Sequence, residues 1–356
     1  MMRVAVIPAL QPDARLIRYA GALLERDFVQ VIVVDDGSGA GYAGIFDPLS
    51  AMPGVTVLRH AENRGKGAAL KTAFRYLSEN LKHSAVIVTA DSDGQHAEAD
   101  VAQVAQQLEQ ALPARAIALG TRDFSGENVP FKSRAGNRIT TFCFRLACGV
   151  NLPDTQTGLR AFSSELLGEM LSIEGDRYEY EMRMLSYAAK NNIALLQCPI
   201  ETVYENGNAG SHFHPVRDSA RVYRALFGPV LKYAVASLAG TAVDLGAFFL
   251  LSTFVFRGES RPEVLAATAL ARLVSASANY LLNRHFVFRQ GASYSVWRYA
   301  VLAVCTLLLS SEGVYQGAHL FPEAVTTLLK AVVDVLLFVV NYQLCRKWVF
   351  KAKARK

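Results

Sequence analysis

The stretch SAVIVTADSDGQH, Ser84 to His96, decides the fold, because an apolar β-branched run stops abruptly at two aspartates separated by one residue. Ala85 to Thr89 reads as a buried parallel strand, and ligands in open α/β sheets gather at the carboxyl ends of such strands. Alternation along an extended chain turns Asp91 and Asp93 to the same side. Two bare carboxylates side by side repel unless a cation lies between them. A hard divalent ion, Mg²⁺ or Mn²⁺, answers that need, with the Gln95 amide oxygen as a further ligand. The other reading of an isolated D-x-D is an acidic turn capping the helix that begins near Glu98.

Composition narrows the class. At 356 residues, with 51% hydrophobic and 19% charged, the chain is long enough for two domains and too apolar for an ordinary soluble enzyme. The apolar excess is uneven: residues 1 to about 225 look like an α/β protein, whereas from Leu231 onward long apolar runs read as membrane. A net charge of +6 suits basic residues lying beside anionic lipid. The soluble half has no basic stripe interleaved with base-stacking aromatics, which argues for no nucleic-acid partner. The five cysteines form no metal or disulfide pattern, as in a reducing cytosol. Met1 runs directly into a strand, Val4 to Pro8, so the expectation is no signal peptide and a soluble half in the cytoplasm.

Upstream of the aspartates the chain supplies the rest of a sheet. VAVIP is a strand, a polar loop follows from Gln11, and a helix is expected from near Ala14 to Arg26. VQVIVV ends in Asp35-Asp36-Gly37-Ser38. There the Asp36 carboxylate, an acceptor only, either takes hydrogen bonds from a nucleotide's ribose or base or forms an Asx turn leaving the strand. Gly39, Gly41 and Gly44 satisfy G-x-G-x-x-G, but Asp47-Pro48 and Pro53-Gly54 break the chain too soon for the long helix a dinucleotide site requires. A third strand, VTVLRH, leads into Asn63-Arg64-Gly65-Lys66-Gly67-Ala68-Ala69. Its glycines let backbone approach a ligand at a helix start, where Lys66 either meets a phosphate or is a solvated loop lysine. Strand, helix, strand, helix and a strand ending in carboxylates make a doubly wound nucleotide-binding half.

In this order VIPAL, VVDDGS, NRGKGAA and ADSDGQH resemble glycosyltransferase family 2 on a GT-A fold, and most of all its polyprenyl-phosphate branch of the dolichol-phosphate mannose synthase type. The resemblance implies that Asp36 contacts the nucleoside and that Asp91, Asp93 and Gln95 hold the metal on the sugar-nucleotide diphosphate; Pro8 and Lys66 are further donor-side candidates. The family's usual tyrosine, asparagine and glutamates after the first strand appear here as Leu10, Gln11, Pro12 and Asp13. The donor is therefore a UDP- or GDP-sugar with the base left open.

Downstream, AIALGTR ends at Arg122, which suits bidentate pairing with a phosphate. Phe131 to Val150 carries Lys132, Arg134, Arg138 and Arg145 among Phe131, Ile139, Phe142, Phe144 and Leu146. That is the makeup of an interfacial amphipathic helix, or of a core helix with a solvated basic face; a second interfacial helix is expected near 214–230. Asp154-Thr155-Gln156-Thr157-Gly158-Leu159-Arg160 is similar to the family's acceptor-side motif, which makes Asp154, Gln156 and Arg160 acceptor-side candidates together with Arg134. Tyr178-Glu179-Tyr180-Glu181 opens a helix and either closes the site or caps that helix. Ser211-His212-Phe213 stands where many relatives have serine and lysine before a phosphate-binding surface, with Arg217 as the substitute cation. A lipid phosphate acceptor is already anionic, so metal, arginines and positioning suffice. A hydroxyl acceptor would want a general base, for which Asp154 is the candidate.

The membrane part repeats itself. Leu231-Lys232-Tyr233-Ala234-Val235 recurs as Trp297-Arg298-Tyr299-Ala300-Val301, and the run Asn279-Tyr280 to Phe288 recurs as Asn341-Tyr342 to Phe350. Two copies of a helical hairpin predict spans near 232–254, 264–283, 299–319 and 325–345. Arg284, Arg289 and Arg298 lie between the second and third spans, and Lys347, Lys351, Lys353, Arg355 and Lys356 follow the fourth, so the positive-inside rule puts these ends in the cytoplasm. The pattern resembles the GtrA family, small four-span proteins proposed to help move or present polyprenyl-phosphate sugars. Gln343-x-x-Arg346-Lys347-Trp348 matches the Q-x-x-R-W of processive polysaccharide synthases, but it belongs to the repeated helix end. Aligning the repeats sets Arg272 opposite Asp334, and an unpaired charge in hydrocarbon is costly. Arg272 is thus expected to pair with Asp334 or Asp244, facing the bundle interior.

The resulting expectation is an α/β, Rossmann-like GT-A domain over 1–225, then an all-α four-helix transmembrane domain over 231–356. Its activity would be metal-dependent, inverting transfer of one sugar from a nucleotide-sugar to a polyprenyl phosphate, undecaprenyl or dolichyl, at the cytoplasmic membrane face. Nucleotide-sugar, polyprenyl phosphate and membrane lipid are the expected partners, and a homo-oligomer is compatible with the pattern. The alternatives are a flippase or carrier role for the membrane half and transfer to a lipid or glycan hydroxyl.

Overall fold

Short β-branched runs form strands and amphipathic stretches form helices, in alternation: β1 (Met2–Ala9), α1 (Arg15–Glu25), β2 (Phe28–Asp35), α2 (Ala43–Ala51), β3 (Val55–Arg59), α3 (Lys66–Asn80), β4 (Ala85–Thr89), α4 (Glu98–Ala111) and β5 (Ala116–Arg122). Then come α5 (Phe131–Cys148), β6 (Arg160–Ser163), α6 (Leu167–Ser172), α7 (Glu179–Lys190) and β7 (Ala194–Ile200). The computed structural model describes residues 1–124, 131–201, 215–256, 260–288, 295–320 and 326–350. The chain divides into two compact units, Met1–Leu226 and Phe227–Lys356.

In the first unit the sheet order is β3-β2-β1-β4-β6-β5-β7. β6 runs antiparallel to both its neighbours, and the other pairings are parallel. The chain moves outward from β1 to β2 and β3, then crosses to β4 on the other flank of β1. That reversal opens a crevice at the carboxyl ends of β1 and β4, where doubly wound sheets bind ligands. Every residue of β4 is buried, as expected of a strand covered on both faces. α1 turns Leu16, Tyr19, Ala20 and Leu23 into the same core; full burial of one leucine contributes about 1.5–3 kcal/mol. The glycines after β2 open only the short α2, with Pro48 inside it, so no dinucleotide-type helix forms there.

The second unit is helical: α8 (Pro215–Leu250), which starts in the first unit, then α9 (Arg261–Leu282), α10 (Ser295–Leu320) and α11 (Thr326–Leu344). Among the described residues, segments Arg217–Val255, Pro262–Val287 and Ser295–Gly317 are long and apolar enough to cross a membrane; α11 completes the bundle. The expected break between an interfacial helix and a first span is absent, because α8 runs through Pro229. Proline removes one backbone hydrogen bond, but the residues just after it, apolar apart from Lys232, supply no polar turn to end the helix.

The repeat is visible in the packing. Tyr233 meets Phe288 at 6.2 Å between ring centroids, and the equivalent Tyr299 meets Phe350 at 6.4 Å. Tyr233–Tyr342 at 5.6 Å is matched by Tyr280–Tyr299 at 5.5 Å, and Phe288 stacks on its counterpart Phe350 at 5.0 Å. At mid-span, Arg272 Nη1 lies 3.5 Å from Asp244 Oδ2, whereas Asp334 accepts a hydrogen bond from Ser310 Oγ at 2.9 Å. The pairing with Asp244 is one of the two expected alternatives; the pairing with Asp334 is not found among the described residues. The inward orientation is not found, since the Arg272 side chain is 74% exposed on this unit. Asp244 is already engaged by Ser275 Oγ at 2.8 Å, so the arginine reaches it from the rim.

Candidate active site

A cleft of about 680 Å³ opens at the carboxyl ends of the central strands. Its wall comprises Pro8 at the end of β1, the Leu10–Asp13 loop, Asp36 after β2, Gly65 and Lys66 at the start of α3, and Asp91 and Asp93 after β4. Arg177 and Tyr178 before α7 and Arg217, Asp218 and Arg221 on α8 complete it. Of the residues singled out from the sequence, Pro8, Asp36, Lys66, Asp91, Asp93 and Arg217 therefore meet in one place.

Asp36 organises this wall. Its Oδ1 accepts from the Arg64 N–H at 2.9 Å and its Oδ2 from the Gly65 N–H at 2.7 Å, while His60 Nδ1 lies 2.7 Å from Oδ1. The Asx turn that leaves β2 is made by its neighbour, with Asp35 Oδ1 accepting from the Ser38 N–H at 2.8 Å. Asp36 thus faces the cleft while tying the loop before α3 to the end of β2. Gly65, at φ +102°, could not carry a side chain: a Cβ there would lie 2.5 Å from the Asp176 carbonyl oxygen and 2.6 Å from Arg177 Cγ.

That close approach delivers Lys66 to the carboxylates. Its Nζ lies 2.6 Å from Asp91 Oδ1 and 3.0 Å from Glu181 Oε2. Burial alone would lower the Lys66 ammonium, but the charges of Asp91 and Glu181 outweigh it and hold it above its ordinary range. Burial would likewise raise Asp91, and Lys66 reverses this, keeping the carboxylate below its usual range. Asp93 goes the other way: burial and then the negative charge of Asp91 raise it, the signature of two carboxylates competing for positive charge. The Gln95 N–H donates to Asp93 Oδ1 at 3.1 Å. His96, buried and held low by that burial, presents Nδ1 to the Asp91 N–H at 3.3 Å.

The acceptor-side motif packs beneath these groups. Gly158 touches Asp91 so closely that a Cβ would sit 2.5 Å from both carboxylate oxygens, and its carbonyl accepts from Thr89 Oγ1 at 2.8 Å. Asp154 is fully buried, with Arg122 Nε 2.7 Å from Oδ2, Arg122 Nη2 3.1 Å from Oδ1, and the Gln156 N–H donating at 2.9 Å. So Arg122 is bidentate as expected, but to a protein carboxylate, and Asp154 anchors Arg122 rather than standing open as a base. Arg160 is also buried, donating to the Thr157 and Glu181 carbonyls at 3.0 and 2.6 Å. The Gln156 amide donates to Thr140 Oγ1 at 3.1 Å. Arg134 is exposed on α5 and does not line the cleft, and Ser211 and His212 lie outside the described residues.

Sequence reasoning gave no role to Arg177, Arg221 or His96. Glu181, quoted as part of a run that closes the site or caps α7, lies 3.0 Å from Lys66 Nζ; Glu179 accepts from the Asp176 and Arg177 N–H groups at 3.2 and 3.3 Å, which ties the turn before α7 without capping the helix. The one available signal for Arg177 was its place just before that run.

A doubly wound sheet whose cleft gathers aspartates and cations, in one chain with long apolar helices, is the architecture of an enzyme that carries a membrane domain. Residues 5–171 match the family described as Glycosyl transferase family 2, and residues 232–350 match the one described as GtrA/DPMS, transmembrane domain. The chain belongs to glycosyltransferase family 2 and carries a GtrA/DPMS transmembrane domain behind its catalytic unit. It is 32% identical over 203 residues to an uncharacterized protein of Methanocaldococcus jannaschii, covering 56% of this chain and 80% of that one. Over 217 residues it is 29% identical to a UDP-N-acetylglucosamine–dolichyl-phosphate N-acetylglucosaminyltransferase of Methanococcus voltae, covering 56% and 84% of the two chains. A polyprenol monophosphomannose synthase of Mycolicibacterium smegmatis is 26% identical over 180 residues, covering 48% and 66%.

Proposed function

We infer that this enzyme transfers one sugar from a UDP- or GDP-sugar to a polyprenyl phosphate at the cytoplasmic face of the membrane. The observation that carries this reading is the cleft itself: Asp91 and Asp93 at a switch point, with Lys66, Arg177, Arg217 and Arg221 around them, in one chain with a GtrA/DPMS transmembrane domain. The relatives named for dolichyl-phosphate and polyprenol products support the choice of acceptor.

The cations suit two anionic substrates, a diphosphate and a phosphomonoester. A phosphate oxygen needs no proton removed before it attacks, which agrees with a site where the candidate base Asp154 is buried against Arg122 and the cleft carboxylates Asp13 and Asp218 are ion-paired with Arg15 and Arg221. Among the described residues no three Asp, Glu, His or Cys side chains converge to hold a metal by themselves. Asp91 and Asp93 offer two hard oxygen donors, and a Mg²⁺- or Mn²⁺-type site is commonly completed by substrate phosphates and water; Gln95 is the further candidate. When bound, the ion neutralises charge on the leaving diphosphate. The chain's own part is to hold Asp91 in place through Gly158 and Lys66 and to orient both substrates with arginines.

Membrane attachment is supported by α5, which exposes Ile139, Phe142 and Leu146 beside Arg138 and Arg145, the makeup of an interfacial helix. In the helical unit Arg298 Nη1 donates to the Trp348 carbonyl at 2.8 Å and Arg284 Nη1 to the Tyr280 hydroxyl at 3.0 Å. Cationic residues thus gather at one end, the end that the positive-inside rule assigns to the cytoplasm. The test is purified full-length protein given a panel of nucleotide-sugars with polyprenyl phosphate, reading nucleotide release and lipid-linked product. Product on polyprenyl phosphate is expected; turnover only with lipid or glycan hydroxyls overturns the reading.

A further inference from the structure

Lys66 occupies the place beside Asp91 that a metal ion would need. Its ammonium lies 2.6 Å from Asp91 Oδ1 and 3.0 Å from Glu181 Oε2, and the three side chains are only 17%, 29% and 10% exposed, respectively. Gly158 also presses on the Asp91 carboxylate, leaving no room even for a methyl group beside its two oxygens. The backbone of Lys66 is pinned as well, since Gly65 is pressed against Asp176 and Arg177 and the Ala68 N–H donates to the Asp176 carbonyl at 2.9 Å. With the backbone held, the Lys66 side chain is the part that moves, and Glu181 offers its ammonium a second carboxylate when the Asp91 oxygen is taken by another cation.

We propose that Lys66 is a positioning residue that keeps the Asp91–Asp93 site closed to a free divalent cation and yields it only to a cation arriving with a nucleoside diphosphate. A dication alone at Asp91 would face an ammonium with one remaining counter-charge, Glu181. A diphosphate brings further negative oxygens to the cleft, toward which Lys66 turns as the cation takes its place. Donor and metal therefore enter together. The inference rests on the metal reading given under the proposed function.

The test is Mn²⁺ titrated into full-length protein in detergent, with free Mn²⁺ read by electron paramagnetic resonance, so that occupancy is measured without turnover. Wild-type protein is expected to bind Mn²⁺ at least about tenfold more tightly with UDP or GDP than without. Lys66→Met should bind Mn²⁺ alone at least about tenfold more tightly than wild type does, while Lys66→Arg, which keeps the charge, stays closed. Equal nucleotide-free affinity in Lys66→Met and wild type overturns the gate but leaves the metal reading standing on the nucleotide-dependent signal. An opened Lys66→Arg overturns it too, because charge is then not what closes the site. No Mn²⁺ uptake by wild type with either nucleotide overturns the gate and the metal reading together. Should Lys66→Met not fold, Lys66→Gln in the same titration decides by the same criterion.

Discussion

Gly158→Ala separates the position of Asp91 from the stability of the fold. An added Cβ would lie 2.5 Å from both Asp91 oxygens and 2.8 Å from its Cγ, where ordinary contact begins at 3.4 Å, so the carboxylate must retreat by about 0.9 Å. Residue 158 cannot retreat instead, because Thr89 Oγ1 holds its carbonyl at 2.8 Å. Misplacing a reacting or positioning group by ~1 Å costs on the order of 100-fold in rate, or about 2.7 kcal/mol of barrier. Gly158 does not have a positive φ, so alanine fits its backbone and gains about 0.4–1 kcal/mol through the unfolded chain. That offsets part of an overpacking cost of about 1–3 kcal/mol. The expected variant folds, melts slightly lower and transfers ~100-fold more slowly, as read by nucleotide release at saturating donor and polyprenyl phosphate alongside a melting curve. A Gly158→Ala protein that folds like wild type and transfers within about threefold of it refutes the claim that this contact sets the working position of Asp91.

The same geometry gives further outcomes. Asp93→Ala should abolish transfer by removing a donor for the metal; full activity in excess EDTA would sink the metal reading. Asp154→Ala removes the bidentate carboxylate from Arg122 in a largely buried site and should cost about 3–5 kcal/mol by chemical denaturation, whereas a loss below ~1 kcal/mol would show that Arg122 does not depend on it. Burial holds the His96 pKa below its ordinary value, so the unfolded chain takes up a proton first. Its contribution is therefore complete above the unfolded pKa of about 6.5 and falls as pH drops below it. His96→Asn, which keeps an acceptor for the Asp91 N–H, should flatten the stability-versus-pH curve on that side, and an unchanged curve counts against the assignment. Asp244→Ala strips Arg272 of its carboxylate and should lower the detergent melting temperature, since a charge in hydrocarbon costs at least about 2.5 kcal/mol. The Arg272→Asp, Asp334→Arg exchange should not retain wild-type stability, because Arg272 pairs with Asp244 and Asp334 is bonded by Ser310.

What could be read in the chain and what could not follow from the range of the forces involved. Strands β1 to β5 and helices α1, α3 and α4 announce themselves through local periodicity, and the D-x-D sits at a strand end because the apolar run stops there. The convergence of Pro8, Asp36, Lys66 and Asp91 followed from topology alone, since all lie at or just beyond the carboxyl ends of strands or at a helix start. Hydrogen-bond partnership was not legible. Arg122 and Asp154 are 32 residues apart, and each alone looks like a substrate ligand; only the fold shows that they satisfy each other. Arg160 has the same history, a cation in a motif of acceptor-side type that turns out to be buried and bonded to two carbonyls. A charged residue in a recognised motif is therefore weaker evidence of substrate contact than its distance from the nearest opposite charge.

The duplicated membrane unit makes the same point from the other side. At the end holding the aromatic residues, the two halves agree ring for ring: Tyr280–Phe350 at 5.9 Å answers Tyr342–Phe288 at 6.1 Å. Ring packing constrains both partners at once, so it tolerates little divergence between copies. Mid-span the constraint is looser. Position 244 of the first copy corresponds to 310 of the second, and 272 to 334. One copy holds them as Asp244 with Arg272 and the other as Ser310 with Asp334. Both solutions satisfy a polar group inside an apolar stretch, which is all that hydrocarbon surroundings require. The positions of the contact are thus set by helix geometry, while its chemistry is left free, which is why aligning Arg272 with Asp334 located both residues correctly yet left the choice of partner to the structure.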